Sequence, residues 1–247
     1  MRIVRDIEYD ATNGCRLDAY LPDENQFPTI VYFHGGGLEV GDKADENYLG
    51  IAESFTKKGY GFLSVNYRMY PTAKFPEYLE DGAAAIAWTK AHIQEDGGNG
   101  VLYVSGQSAG AWMSMMLCLN EKYLQAVAMS PLEIQGWIID SAQTTAHFNV
   151  LKYEEGCDPN LQRINEYAPL YYVNSQTKFN RMLILFYDND MPCRAEQNML
   201  FIKAVENFCH GVDLEYKQLK GAHCHGSSER DSDGEYQYVK EVLRWLK

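Results

Sequence analysis

The sequence predicts an α/β fold, with a mostly parallel eight-stranded sheet and helices on both faces. Short apolar runs of strand length alternate with longer segments of helical character over most of the 247 residues. Strands that alternate with helices are joined by crossover connections, which place them parallel and bury them on both sides. A serine between two glycines also stands at a strand-to-helix junction, where folds of this class carry their functional sites.

The expected elements follow from the apolar runs and the turn residues that bound them. The predicted strands are residues 3–9, 15–21, 29–33, 61–66, 101–105, 126–130, 182–187 and 213–219. The predicted helices are residues 45–58, 75–95, 109–120, 194–210 and 234–247. A chain of 247 residues is long enough for one domain with a substantial core, so residues 1–247 are expected to form a single domain.

Residues 131–180 break this alternation. The stretch is too long for an ordinary connection and is rich in Tyr, Gln, Asn and Thr, which favours a lid or a substrate-wall insertion. Its aromatic side chains are candidates for substrate contact, and anchoring a long loop is the alternative role. These residues are Trp137, His147, Phe148, Tyr171 and Tyr172.

The sequence Gly106-Gln107-Ser108-Ala109-Gly110 lies between the apolar run 101–104 and the apolar segment 111–117. A sharp turn between a strand and a helix holds its central residue in a strained conformation, and small neighbours let the two elements approach each other. The hydroxyl of Ser108 is then exposed at the end of the strand, so Ser108 is the first candidate for a nucleophile. Gln107, which precedes it, is a candidate for substrate contact.

The run His34-Gly35-Gly36-Gly37 follows the predicted strand 29–33. Successive glycines can turn several backbone N–H groups toward one point, an arrangement that stabilises an oxyanion. A phosphate-binding loop is the alternative, but Asp42 occupies the position of its lysine. His34 is expected to orient the glycine loop and is also a candidate for substrate contact.

An acid is expected after the predicted strand 182–187, which runs into Asp188-Asn189-Asp190. A carboxylate at the carboxyl end of a strand can reach a histidine and fix its tautomer. Asp190 is favoured because it lies further into the loop, directly before Met191-Pro192. Asp188 is the alternative.

The predicted strand 213–219 leads into two histidines in the sequence Gly221-Ala222-His223-Cys224-His225. His223 is favoured as a general base because it is closer to the end of the strand and follows a flexible pair of small residues. His225 is then a solvated neighbour or a pocket residue.

The chain order Ser108, Asp190, His223 resembles that of the α/β-hydrolases, and the glycine motif resembles that of HGGG-type carboxylesterases. This group includes hormone-sensitive-lipase-like enzymes and the bacterial feruloyl and acetyl-xylan esterases called BD-FAE. Further motifs that carry the resemblance are Val65-Asn66-Tyr67-Arg68, Phe75-Pro76 and Glu80-Asp81. Within these motifs, Arg68 and Asp81 are expected to form a structural ion pair.

The resemblance implies an α/β-hydrolase fold and a serine esterase that works through an acyl-enzyme. By that resemblance, Gly36, Gly37 and Ala109 would donate the N–H groups of the oxyanion hole. It also implies short-chain esters as substrates, for example acetyl groups on plant-derived carbohydrate. A serine peptidase or amidase with the same triad is one alternative, and a binding protein on a hydrolase scaffold is another.

The resemblance implies small-molecule or oligosaccharide esters as partners, and the composition disfavours two other classes. A formal net charge of -12 disfavours nucleic acid and provides no polybasic segment for an anionic membrane. No apolar run approaches the ~18 residues that would span a bilayer. No histidine or cysteine spacing resembles a metal site, so no metal or other cofactor is expected.

The cysteines and the start of the chain predict a cytoplasmic protein. The 6 cysteines are scattered without a C-x-x-C pair, which favours free thiols in a reducing compartment. The first eight residues carry charge and contain no apolar h-region, so no secretory signal is expected.

Overall fold

A computed structural model describes the chain from Met1 to Lys247 and contains one eight-stranded sheet. The strands are β1 (Arg2–Asp10), β2 (Cys15–Leu21), β3 (Phe27–Phe33), β4 (Gly61–Val65), β5 (Gly98–Gln107), β6 (Gly136–Asp140), β7 (Arg181–Asn189) and β8 (Asp213–Ala222). Their order across the sheet is β1-β2-β4-β3-β5-β6-β7-β8. Only the pairs β1/β2 and β2/β4 are antiparallel, so the predicted mostly parallel sheet is confirmed.

Eight helices surround the sheet. They are α1 (Glu46–Thr56), α2 (Glu77–His92), α3 (Ala109–Leu119), α4 (Lys122–Ala126), α5 (Phe148–Glu154), α6 (Arg194–Phe208), α7 (His225–Ser228) and α8 (Gln237–Trp245). The five predicted helices correspond to α1, α2, α3, α6 and α8, while the short helices α4, α5 and α7 were not predicted. None of the helices combines the length and apolar character that crossing a membrane would need.

Two apolar cores lie on opposite faces of the sheet because side chains alternate along each strand. In β3, Val31 and Phe33 belong to the larger core of 46 buried residues, into which α2, α3 and α6 also pack. Ile30 and Tyr32 belong to the second core of 19 buried residues, together with α1 and α8. Helices therefore cover both faces, as the sequence predicts.

The strand predicted at 126–130 is wrong, and the sixth strand is β6. The apolar residues after Ala126 form the turn that follows α4 instead: Ala128 has a φ of 57°, and the N–H of Met129 donates to the carbonyl of Leu124 at 2.8 Å. This turn closes the helix and prevents the chain from extending. β6 lies inside the stretch 131–180, so the long part of that stretch outside the sheet is residues 141–180.

The expected ion pair between Arg68 and Asp81 is confirmed. The guanidinium donates to both carboxylate oxygens of Asp81, at 2.7 and 2.9 Å, and to Glu77 at 3.0 Å. The side chain of Asp81 is buried on α2. The pair fixes the segment after β4 to this helix.

Candidate active site

Ser108 occupies the turn between β5 and α3, with φ 53° and ψ -111°. Only small neighbours permit this turn: a Cβ on Gly106 would lie 2.2 Å from the backbone carbonyl of Gly110, and a Cβ on Gly110 would lie 2.0 Å from the carbonyl oxygen of Phe33. The backbone N–H of Ser108 donates to the carbonyl of Asp140 at 2.8 Å, which ties the turn to the end of β6. A strained backbone conformation that is fixed by close packing and a hydrogen bond is typical of a functional turn.

Three side chains from separate loops form a hydrogen-bonded row. Nε2 of His223, after β8, lies 2.8 Å from Oγ of Ser108, and Nδ1 lies 2.5 Å from Oδ1 of Asp190, after β7. The side chain of Asp190 is 1% exposed and that of His223 is 24% exposed. The imidazole can accept the serine proton while the carboxylate fixes its tautomer, so this arrangement can activate a nucleophile.

The alternative acid and base lie outside this row. Asp188 accepts a hydrogen bond from Nζ of Lys220 at 2.6 Å and another from the N–H of Gly221 at 3.0 Å, so it joins the ends of β7 and β8. The bond with Lys220 lowers the pKa of Asp188. His225 begins α7, and its half-exposed ring faces Glu229 at 3.5 Å. The structure therefore brings Asp190 and His223 to Ser108, and not Asp188 or His225.

Arg194 is a buried cation beside the row that the sequence analysis did not single out. It is 4% exposed, and its guanidinium donates to the carbonyl of Ser141 at 3.0 Å. Burial lowers the pKa of Arg194, and the nearby charge of Asp190 opposes that effect. The only signal in the sequence is an arginine at the start of the helix that follows the acid loop.

The glycine loop after β3 presents N–H groups without protein acceptors. Gly36 and Gly37 have φ of 104° and 66°, and their N–H groups donate to no atom of the chain. The carbonyl of Gly37 is held by Nδ2 of Asn149 at 2.6 Å. Ala109 opens α3, where the first N–H groups have no partner within the helix. These donors could stabilise a negative oxygen next to Ser108.

His34 supports the glycine loop from inside the protein. It is fully buried, its Nδ1 lies 2.7 Å from the carbonyl oxygen of Gly35, and its ring stacks on Tyr67 at 4.5 Å. Burial lowers the pKa of His34, which favours the neutral ring. The expected orienting role fits this position, and the buried ring offers no accessible surface for the expected substrate contact.

Two other candidates for substrate contact are also buried. Trp137 is fully buried in β6, where strands on both sides and a helical layer enclose it. Gln107 is 5% exposed, and its side-chain amide is engaged with Tyr48 and Ser227. The indole is enclosed by its position in a central strand, and the amide is occupied by hydrogen bonds within the protein.

In the stretch 131–180, Phe148 lies against the glycine loop. Its ring lies 3.3 Å from where a Cβ on Gly37 would stand, next to the glycine loop. His147 is buried and caps α5 by accepting the N–H of Asn149 at 3.2 Å, and burial lowers its pKa to about 3. Tyr171 and Tyr172 pack edge to face against each other in a 3₁₀ turn, with ring centroids 5.1 Å apart.

A cavity of about 250 Å³ adjoins the row through Met191, which follows Asp190, and through Phe148. Its lining is Gln143, Phe148, Pro159, Asn160, Gln162, Met191, Pro192, Cys193, Arg194 and Gln197. Side-chain amides and a guanidinium make up half of this wall. Such a wall is suited to a small ligand with polar groups rather than to a long alkyl chain.

Known proteins resemble this chain in sequence. The family model of BD-FAE matches residues 17–150. The chain is 23% identical over 271 residues to Tuliposide A-converting enzyme 2, chloroplastic, of Tulipa gesneriana, with 98% of this chain and 70% of that enzyme covered. It spans about a third of the length of other tuliposide A-converting enzymes that it matches, 35% of one and 31% of another.

Solved structures share the fold at low identity. Esterase B from Lactobacillus rhamnosis superposes with a TM-score of 0.79 at 15% identity, with 99% of this chain and 84% of that chain covered. A truncated carbohydrate esterase from gut microbiota gives a TM-score of 0.75 at 14% identity, with 100% of this chain and 95% of that chain covered. The expected α/β-hydrolase fold is therefore confirmed.

Substitution of Gly36 tests the glycine loop. In Gly36→Ala, the new Cβ would lie 1.9 Å from the carbonyl oxygen of Val40, so the loop must move and its N–H groups turn away. We expect kcat for p-nitrophenyl acetate to fall on the order of a hundredfold. Gly14→Ala is the matched control, because Gly14 also has a positive φ of 67° but has open space around it. Equal losses in the two variants would contradict a specific role for the loop.

The buried ring of His147 makes stability depend on pH. It stays neutral in the folded protein down to about pH 3, whereas in the unfolded chain it takes up a proton near pH 6.5. The unfolded state therefore binds more protons between these values, and stability falls as pH falls. His147→Asn keeps an N-cap acceptor but does not titrate. Between pH 7 and 4.5, the wild type should lose about 2–3 kcal/mol more than the variant in urea unfolding, and parallel losses would refute this.

Proposed function

We propose that this chain hydrolyses short-chain acyl esters through an acyl-enzyme on Ser108. The chain belongs to the BD-FAE family and is a carboxylesterase with the α/β-hydrolase fold. The observation that carries the proposal is the row from Asp190 through His223 to Ser108, beside the unpaired N–H groups of the glycine loop. Nucleophile, base, orienting acid and oxyanion donors are the four elements that acyl transfer needs.

The reaction has two steps. Nε2 of His223 takes the proton of Ser108 as Oγ attacks the ester carbonyl, and the N–H groups of Gly36, Gly37 and Ala109 stabilise the oxyanion. The imidazolium then gives its proton to the departing alcohol, which leaves an acyl-serine. Water, deprotonated by the same imidazole, attacks the acyl-serine, and the imidazolium returns that proton to Oγ as the acid and free Ser108 are released. Asp190 stabilises the imidazolium in both steps.

We propose an acetyl group on plant-derived carbohydrate as the substrate. The amides of the cavity wall, from Gln143, Gln162 and Gln197, match the hydroxyl groups of a sugar, and the volume of about 250 Å³ suits a short acyl group. One structure with the same fold is a carbohydrate esterase, which supports this class of alcohol. The cytoplasm remains the proposed compartment, as the cysteine pattern favours.

Matched substitutions test the assignment of the row. Ser108→Ala and His223→Ala should remove most of the turnover of p-nitrophenyl acetate, and Asp190→Asn should lower kcat on the order of a thousandfold or more. Asp188→Asn and His225→Ala are the controls, since both side chains lie outside the row, and should keep turnover near that of the wild type. Full activity in Ser108→Ala would disprove the proposed function.

Acyl chain length and the nature of the alcohol test the proposed substrate. We expect kcat/KM to fall from p-nitrophenyl acetate through the butyrate to the octanoate, because the polar cavity wall disfavours buried methylene groups. Acetylated xylo-oligosaccharides should release acetate with a higher kcat/KM than ethyl acetate does. A preference for octanoate, or a faster reaction with an aminoacyl-arylamide, would contradict a short-chain esterase.

A further inference from the structure

A buried series of hydrogen bonds runs from the glycine loop to the loop that carries His223. The hydroxyl of Tyr48 accepts the N–H of Gly35 at 3.2 Å and donates to Oε1 of Gln107 at 2.9 Å. Nε2 of the same glutamine donates to Oγ of Ser227 at 2.7 Å, and Ser227 donates to the carboxylate of Asp140. We call this series, Tyr48-Gln107-Ser227-Asp140, the polar bridge.

The polar bridge is closed to solvent along its whole length. Tyr48 and Gln107 are 5% exposed, and Ser227 and Asp140 are fully buried. Asp140 forms no ion pair, and burial raises its pKa to about 6. Its hydroxyl donors are therefore what stabilise the carboxylate inside the protein. Hydrogen bonds of this kind are costly to break, because water cannot replace either partner.

The bridge reaches His223 through the backbone of its loop. Ser227 lies four residues after His223, in α7. The N–H of Cys224, next to the histidine, donates to Oγ of Ser141 at 3.1 Å. Both ends of this short segment are thus fastened to the end of β6, where Asp140 and Ser141 are neighbours.

The sheet explains why such a connection is needed. The glycine loop follows β3 and the histidine loop follows β8, and β5, β6 and β7 lie between these two strands. The backbones of the two loops therefore do not pair. Both must nevertheless meet at Ser108, with the glycine N–H groups and Nε2 of His223 in fixed positions around it. Gln107 is the residue directly before Ser108, so the polar bridge passes next to the nucleophile.

We propose that Tyr48, Gln107 and Ser227 are positioning residues, which set the spacing between the oxyanion donors and the imidazole of His223. This inference rests on the proposed function, because it assumes that both groups act on the same ester. A misplacement of reacting groups by about 1 Å can cost on the order of a hundredfold in rate. Gln107, expected from the sequence to contact substrate, thus acts on the reaction from inside the protein.

Single substitutions measure the two halves of the bridge. Ser227→Ala cuts the half toward His223, and Tyr48→Phe cuts the half toward Gly35. We expect each to lower kcat for p-nitrophenyl acetate on the order of 10- to 100-fold, with KM nearly unchanged, because geometry and not binding is lost. Asp140→Asn keeps an oxygen that accepts from Ser227, so its kcat should stay above that of Ser227→Ala.

Ser105→Ala is the matched control. Like Ser227, Ser105 is a fully buried serine, but it lies in β5. Its hydroxyl contacts Tyr238 at 2.7 Å and the carbonyl of Ile138 at 3.0 Å, away from both loops. It should lose as much thermal stability as Ser227→Ala and keep the kcat of the wild type. Near-UV circular dichroism shows for every variant whether the native packing is retained.

The decisive comparison uses a His223→Ala background. Without the imidazole, Ser227→Ala should have no further effect on the residual turnover, whereas Tyr48→Phe should still lower it through the glycine loop. An equal effect of Ser227→Ala with and without His223, or an equal loss of kcat in Ser105→Ala, would overturn the positioning role. Wild-type turnover in Ser108→Ala would instead refute the proposed function, whatever the bridge variants do.

Discussion

The whole site depends on one close approach, between the start of α3 and the ends of β3 and β5. Gly110 packs against the carbonyl of Phe33, and Gly106 packs against Gly110, at distances that admit no side chain. This contact forces Ser108 into its strained conformation and places its hydroxyl at the carboxyl edge of the sheet. The strain is held because two apolar cores fix β3 and β5 from both faces.

Parallel strands then deliver the other groups to the same edge. The glycine loop, Asp190 and His223 follow β3, β7 and β8, Asp140 is the last residue of β6, and all of these strands end on the side of Ser108. The three carboxylates at this edge differ in the groups that surround them. Asp190 is buried near the charge of Arg194 and faces the imidazole, Asp188 is screened by Lys220 at the surface, and Asp140 is stabilised by hydroxyl groups.

The sequence predicts the parts that local chemistry specifies. The turn at Ser108 can be read from its glycines, and the loops of Asp190 and His223 from the strands before them. The sixth strand is predicted at 126–130 and not at β6, because the apolar residues after Ala126 resemble a strand although they form the turn that ends a helix. The buried roles of Gln107 and Arg194 could not be predicted, since they depend on contacts between segments far apart in the chain, such as Gln107 and Ser227, which are 120 positions apart.

Covalent labelling of the nucleophile tests the central claim most directly. The enzyme would be treated with a p-nitrophenyl alkylphosphonate, and labelled peptides would be located by mass spectrometry while residual esterase activity is followed. We expect one phosphonyl group per chain, attached to Ser108, with activity lost in proportion to labelling. Activity that survives complete labelling of Ser108, or inactivation with the label on another residue, would contradict it.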